Sequence, residues 1–155
     1  MIKIMYICTG NICRSAMAHG YMQHIVNNSD KKNDFLISSC GIYAMTGDKS
    51  TNNAIQAMKE YNVDLENHRA TNIRDIDIEN YDLVLCMTTM HKINVLSMYP
   101  KLEGKVFTLK EFVDSNTKYK DIDDPWGLDL NVYKECAKEI VENVDKVLNK
   151  LKEGE

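Results

Sequence analysis

Residues 8–15, CTGNICRS, gather a thiol, a guanidinium and a hydroxyl within eight positions. Gly10 and Asn11 add the two residue types that best tolerate unusual backbone angles. A loop of this kind, set between a strand and a helix, turns its backbone N–H groups inward as an anion cradle. The helix N-terminus adds partial positive charge. Arg14 offers a planar fork that grips two oxygens of a phosphoryl group. A thiol at the mouth of such a loop, here Cys8, is driven toward the nucleophilic thiolate. The Ser15 hydroxyl can donate a hydrogen bond to that sulfur. Thr9, Gly10, Asn11, Ile12, Cys13, Arg14 and Ser15 together form the expected phosphate-binding set. The Cys-to-Arg spacing alone is weak evidence, since a cysteine that ends a strand also serves as core. The strand–loop–helix setting, the Gly-Asn pair and the following serine favour the nucleophile. No Gly-x-Gly-x-x-Gly occurs here, and no Gly-Lys-Ser or Gly-Lys-Thr follows, so dinucleotide and NTP loops are excluded.

A second group lies at residues 123–127, DDPWG. Proline restricts the residue before it to extended conformations, so Asp124 is held by a stiff loop. A carboxylic acid there can protonate a leaving group and later deprotonate water. The same five residues also fit a plain surface turn. His24 and His91 have no His or Cys partner at zinc spacing, so neither a metal nor a cofactor is expected.

These groups need a frame, and the chain supplies an alternating one. Residues 3–8, 35–39, 82–87 and 105–109 read as strands. Residues 82–87 (DLVLCM) show no alternation, which fits burial on both faces. Residues 15–26, with Ser15 as N-cap, and residues 54–61 and 88–96 read as helices. A long final helix spans about 130–151, with Val132, Cys136, Ile140, Val144, Val147 and Leu151 on one stripe. Strand and helix repeated four times predict an α/β fold: a four-stranded parallel sheet between helices on both faces. Ligands of such sheets bind outside the carboxyl ends of the strands, where Cys8 falls.

The 155 residues suit one domain, 1–155. The net charge of −4 argues against a nucleic-acid partner. No apolar run is long enough for a signal peptide or a membrane span. Five cysteines, an odd number, do not form a secreted disulfide framework. Cys40, Cys86 and Cys136 read as buried hydrophobes of a cytoplasmic protein.

Cys8 to Ser15 with Asp124-Pro125 resembles the low-molecular-weight protein tyrosine phosphatase family. The likeness runs through Ser39-Cys40-Gly41, His68, residues 82–87 and the final helix. It implies a Rossmann-like three-layer sandwich that works without metal or cofactor on a phosphorylated protein, as a monomer or weak dimer. It implies Cys8 as the nucleophile that forms a phosphocysteine, Arg14 as the phosphoryl clamp, and Asp124 as general acid and then base. Asn11, Ser15, Ser39 and His68 match positions that support the loop. Cys13 matches a redox partner of Cys8; packing under the loop is the alternative. Ala16, Thr71, Thr88 and Trp126 depart from residues common in the family.

A bacterial branch of the family, the protein-arginine phosphatases, resembles the chain at Met87-Thr88, His91-Lys92, residues 106–111 and Asp124-Pro125-Trp126-Gly127. That branch has threonine at the position of Ile12. An aliphatic wall suits a phenyl ring, whereas the N–H donors of a phosphorylated guanidino group would find no acceptor there. Phosphotyrosine is therefore expected, with phosphoarginine the alternative. Specificity is assigned to Ile12, Tyr43 and Trp126 at the pocket rim. Arsenate reduction needs a cysteine relay, for which Cys86 has no near partner in sequence. A phosphopeptide-binding module would not retain Cys8, Arg14 and Asp124 together.

Overall fold

The structure, a computed structural model, describes residues 1–153. Four strands form one parallel sheet in the order β2-β1-β3-β4: β1 (Ile2–Cys8), β2 (Phe35–Gly41), β3 (Leu83–Cys86) and β4 (Val106–Thr108). Strand β1 sits between β2 and β3, pairing Cys8 with Gly41 and Ile7 with Cys86. The chain steps outward from β1 first to one side and then to the other. Cys8 therefore ends the strand at which the order reverses, where crevices open in such sheets.

Side-chain alternation splits the core in two. Ile4, Tyr6, Leu83 and Leu85 face one layer, and Met5, Ile7, Val84 and Cys86 face the other. The first layer holds α1 (Arg14–Asn27), α2 (Asn52–Lys59) and α5 (Leu130–Glu153). The second is closed by α3 (Thr89–Met98) and by three short 3-10 turns. All four residues of β3 are buried, as its unbroken apolar run predicts. The long helix buries Cys136, Ile140, Val144 and Val147 of the expected stripe, whereas Val132 and Leu151 are half-buried and Tyr133 and Ala137 join the core instead. Among the described residues no helix is long and apolar enough to cross a membrane.

Two local readings differ from the sequence expectation. The N-cap of α1 is Cys13, and Ser15 is already its second helical residue. The loop curls up to Cys13, which leaves the Ser15 hydroxyl free to turn inward. The fourth strand stops at Thr108, because Thr108 and Glu111 form a capping box that starts a short helix, α4 (Leu109–Val113).

Between α4 and α5 the chain has no regular structure, yet it is tied to the sheet. Ile122 N–H donates to the Met87 carbonyl at 2.8 Å. Asp121 accepts from Thr89 N–H and Thr89 Oγ1 at 2.7 and 3.1 Å. These bonds bring Asp124 over the carboxyl ends of β1 and β3.

Candidate active site

Residues 9–13 curl over the end of β1 and run directly into α1. Asn11 takes a left-handed conformation, with φ +56°. Gly10 does not, so only one of the two permissive residues uses its freedom. Closeness to β2 imposes a second requirement. A Cβ on Gly41 would lie 2.5 Å from the Thr9 carbonyl oxygen and 2.9 Å from Asn11 N. Only glycine lets β2 approach the loop this closely.

The buried side of the loop is a closed set of hydrogen bonds. Thr71 N–H donates to Asn11 Oδ1 at 2.9 Å, which fixes the orientation of the amide. Asn11 Nδ2 then donates to Ser15 Oγ at 2.8 Å. Ser15 Oγ lies 2.9 Å from Cys8 Sγ, and its own proton is left for the sulfur. Asn11 N–H donates to the same sulfur at 3.3 Å. His68 Nε2 donates to the Asn11 carbonyl at 2.7 Å. Thr71, one of the departures from the family pattern, acts here through its backbone N–H, so its side chain is not needed. Asn11 and Ser15 are fully buried beneath the loop.

The open side is a pocket of about 240 Å³. Cys8, Thr9, Gly10 and Cys13 form its floor, with Ile12, Arg14, Asp124 and Trp126 around them. Among the described residues, the amides of Gly10, Ile12 and Cys13 donate to no protein acceptor, which leaves them for an anion. Arg14 is 4% exposed. Its Nη1 donates to the Ile122 carbonyl at 2.8 Å, and its Nη2 stands 3.5 Å from Asp124 Oδ2. Asp124 Oδ1 accepts from Trp126 N–H at 3.0 Å, the turn that Asp-Pro stiffens. The Trp126 indole is 64% exposed at the rim.

Two residues assigned from sequence stand outside the innermost pocket. Ser39 Oγ bonds to His19 Nδ1 at 2.8 Å, and His19 meets the His68 ring edge-on; Ser39 therefore reaches the loop only through two histidines. Tyr43 braces the loop with its backbone, donating N–H to the Thr9 carbonyl at 2.9 Å. Its exposed side chain lines a cleft that adjoins the pocket and shares Thr9, Arg14 and Asp124 with it. A groove of about 420 Å³ behind the loop, between His19, His24 and His68, is lined by no cysteine or serine among the described residues.

Cys13 is buried, 3.3 Å from the Tyr133 hydroxyl and 3.7 Å from Thr51 Oγ1, and burial pushes its thiol up. Cys86 faces the opposite core layer from Cys8 and is fully buried. Cys136 is pushed up to about 12 by burial. Thr51, Tyr133 and the Ile122 carbonyl carried no sequence signal, and His91 drew notice only as a weighed metal ligand and in the His91-Lys92 likeness. Each reaches the loop from a distant segment, and none sits in a motif of its own.

A family model described as low molecular weight phosphotyrosine protein phosphatase matches residues 3–155. The protein-arginine-phosphatase of Bacillus subtilis (strain 168) is 33% identical over 151 residues, 97% of each chain. The crystal structure of a low molecular weight protein tyrosine phosphatase from T. tengcongensis has a TM-score of 0.88 and 37% identity. That match covers 97% of this chain and 99% of the other. A structure of the YwlE arginine phosphatase, a cysteine-to-serine mutant with phosphorylated active-site serine, has a TM-score of 0.88 and 32% identity, with 97% and 96% covered.

Proposed function

The chain belongs to the low molecular weight phosphotyrosine protein phosphatase family, and on that footing we propose that it hydrolyses phosphotyrosine in proteins through a phosphocysteine on Cys8. The observation that carries this reading is the placement of Cys8 Sγ. It accepts from Ser15 and Asn11 below and opens above into a pocket walled by Arg14 and Asp124.

The steps follow from the geometry. The Cys8 thiolate attacks phosphorus, and the bond from phosphorus to the tyrosyl oxygen breaks. Asp124, protonated, gives its proton to the departing oxygen. Arg14 and the free loop amides hold the equatorial oxygens throughout, where the charge is spread in the transition state. Water then attacks phosphorus, Asp124 takes a proton from it, and the sulfur leaves as thiolate. Inorganic phosphate is released and the site is restored. The relative that carries phosphate on a serine in place of its cysteine supports a covalent intermediate at this position.

The preference for a phenyl ring rests on Ile12 and the exposed Trp126, which give the pocket apolar walls. A second reading, phosphoarginine, draws on the Bacillus subtilis relative, a protein-arginine-phosphatase. Both follow the same chemical steps. Purified protein given matched phosphotyrosine and phosphoarginine peptides decides between them. Faster release of phosphate from phosphotyrosine is expected; the reverse order assigns the second reading.

A further inference from the structure

His91 is an expensive residue for its place. It stands on the first turn of α3 at 6% exposure, and its Nδ1 is buried with no hydrogen-bond partner. An unpaired buried ring nitrogen gives up its water without a hydrogen bond in return. An apolar side chain of similar size would avoid that cost. The other ring nitrogen, Nε2, lies 2.9 Å from Thr9 Oγ1, on the residue that follows the nucleophile.

The same helical turn holds the acid-bearing loop. Thr88 caps α3 by accepting from His91 N–H at 3.1 Å. The next residue, Thr89, grips the Asp121 carboxylate with its N–H and its hydroxyl. From Asp121 the chain passes through Ile122, whose carbonyl holds Arg14, to Asp124. One turn of helix thus touches the phosphate loop on one side and the acid loop on the other.

We propose that His91 is a positioning residue, whose bond to Thr9 fixes the nucleophile's loop to the turn that carries the acid loop and so keeps Cys8 and Asp124 in register. This rests on the phosphatase reading above. Burial, with the Arg14 charge nearby, pushes His91 down to about 4, against the opposing pull of Asp121 and Asp124. The ring is therefore neutral near pH 7 and meets the Thr9 hydroxyl as a hydrogen-bonding group rather than a charge.

The test compares Thr9→Val, His91→Leu, the double variant and His91→Gln, whose amide can stand near the place of Nε2. Thr9 is exposed, so its variant carries the test even where a His91 variant folds poorly. One readout is steady-state hydrolysis of p-nitrophenyl phosphate. The other is the pH dependence of Cys8 alkylation by iodoacetate, which needs no turnover. Each single variant is expected to lower kcat about tenfold, the equivalent of one hydrogen bond, with KM changed less. The double variant should be no worse than the singles, and His91→Gln should recover most of the rate. The alkylation midpoint should move equally in both singles and no further in the double. Multiplying losses, glutamine no better than leucine, or an unmoved kcat and midpoint in Thr9→Val overturns the proposal. If the unmodified chain hydrolyses no aryl phosphate, the phosphatase reading fails, and the alkylation series alone decides on His91.

Discussion

The Ser15 hydroxyl donates to Cys8 Sγ at 2.9 Å, and the direction of that bond is set by Asn11. Asn11 can only donate to Ser15, because Thr71 N–H already occupies its carbonyl oxygen. A hydroxyl that must donate to sulfur stabilises the thiolate more than the thiol. Ser15→Ala is expected to lower kcat about tenfold, since one charge-assisted hydrogen bond is lost, and to shift Cys8 alkylation to higher pH. Thr71→Ala should change neither by more than about twofold, because the backbone N–H remains. A pH profile of alkylation on the two variants checks both statements.

In the proposed mechanism Asp124 acts on the leaving group. Asp124→Asn keeps the size of the side chain and removes its acid, so phosphotyrosine turnover should fall by about 10²–10⁴-fold. The loss should be smaller on p-nitrophenyl phosphate, whose leaving group departs with less need of a proton. Equal losses on the two substrates would mean that Asp124 positions Arg14 rather than donates a proton.

Ile12 forms the aliphatic wall of the pocket. Ile12→Thr offers an acceptor to a guanidino N–H and takes apolar contact from a phenyl ring. The ratio of phosphoarginine to phosphotyrosine turnover should rise by about tenfold, the equivalent of one hydrogen bond gained or lost. Paired peptide assays on the variant and the parent measure it; an unchanged ratio removes Ile12 from the specificity argument.

Cys13 lies in the same curled loop as Cys8. In the redox step proposed for this pair, hydrogen peroxide oxidises the Cys8 thiolate to sulfenic acid, with one oxygen transferred and water as the reduced product. The Cys13 thiol then condenses with it, forming a disulfide and a second water. To do so it must give up the Tyr133 hydroxyl, 3.3 Å away. Peroxide-treated protein should regain activity with dithiothreitol, and Cys13→Ser should not, proceeding instead to sulfinic acid by mass spectrometry. Recovery that is equal in both would leave Cys13 as packing.

Two histidines predict an acid-sensitive fold. Burial pushes His19 and His91 from the usual 6.5 to about 4. Between those values the unfolded chain binds more protons than the folded one, so stability rises with pH through that window. Each histidine contributes a slope of up to about 1.4 kcal/mol per pH unit. Urea unfolding at pH 7 and pH 5 should show the loss at low pH, and His91→Gln should show a smaller one. An identical slope in the variant would mean that His91 is already charged in the folded state.

The sheet was legible because its central strands β1 and β3 are largely buried, and β3 carries an apolar run that no half-exposed strand needs. The candidate loop could be picked out because Cys8, Gly10, Asn11, Arg14 and Ser15 fall within one short stretch of sequence. What was not legible comes from contacts between distant segments. Tyr133 looks like one more apolar position of α5, yet its hydroxyl meets Cys13 from 120 residues away. His91 looks like a helix-face histidine until α3 brings it to Thr9, 82 residues earlier. Tyr43 was assigned to the pocket on its sequence alone. The backbone bonds of Ile42 and Tyr43 to Cys8 and Thr9 set it beside the loop, at a cleft that shares Thr9, Arg14 and Asp124 with the pocket.

The central claim, a covalent phosphoryl intermediate on Cys8, is tested most directly by acid-quenching the enzyme during turnover of a phosphotyrosine peptide and mapping the phosphoryl group by mass spectrometry. A phosphoryl adduct on Cys8, absent when Cys8→Ala is treated in the same way, is the predicted result. Continued phosphate release by Cys8→Ala, or an adduct on another residue with Cys8 unmodified, would contradict it.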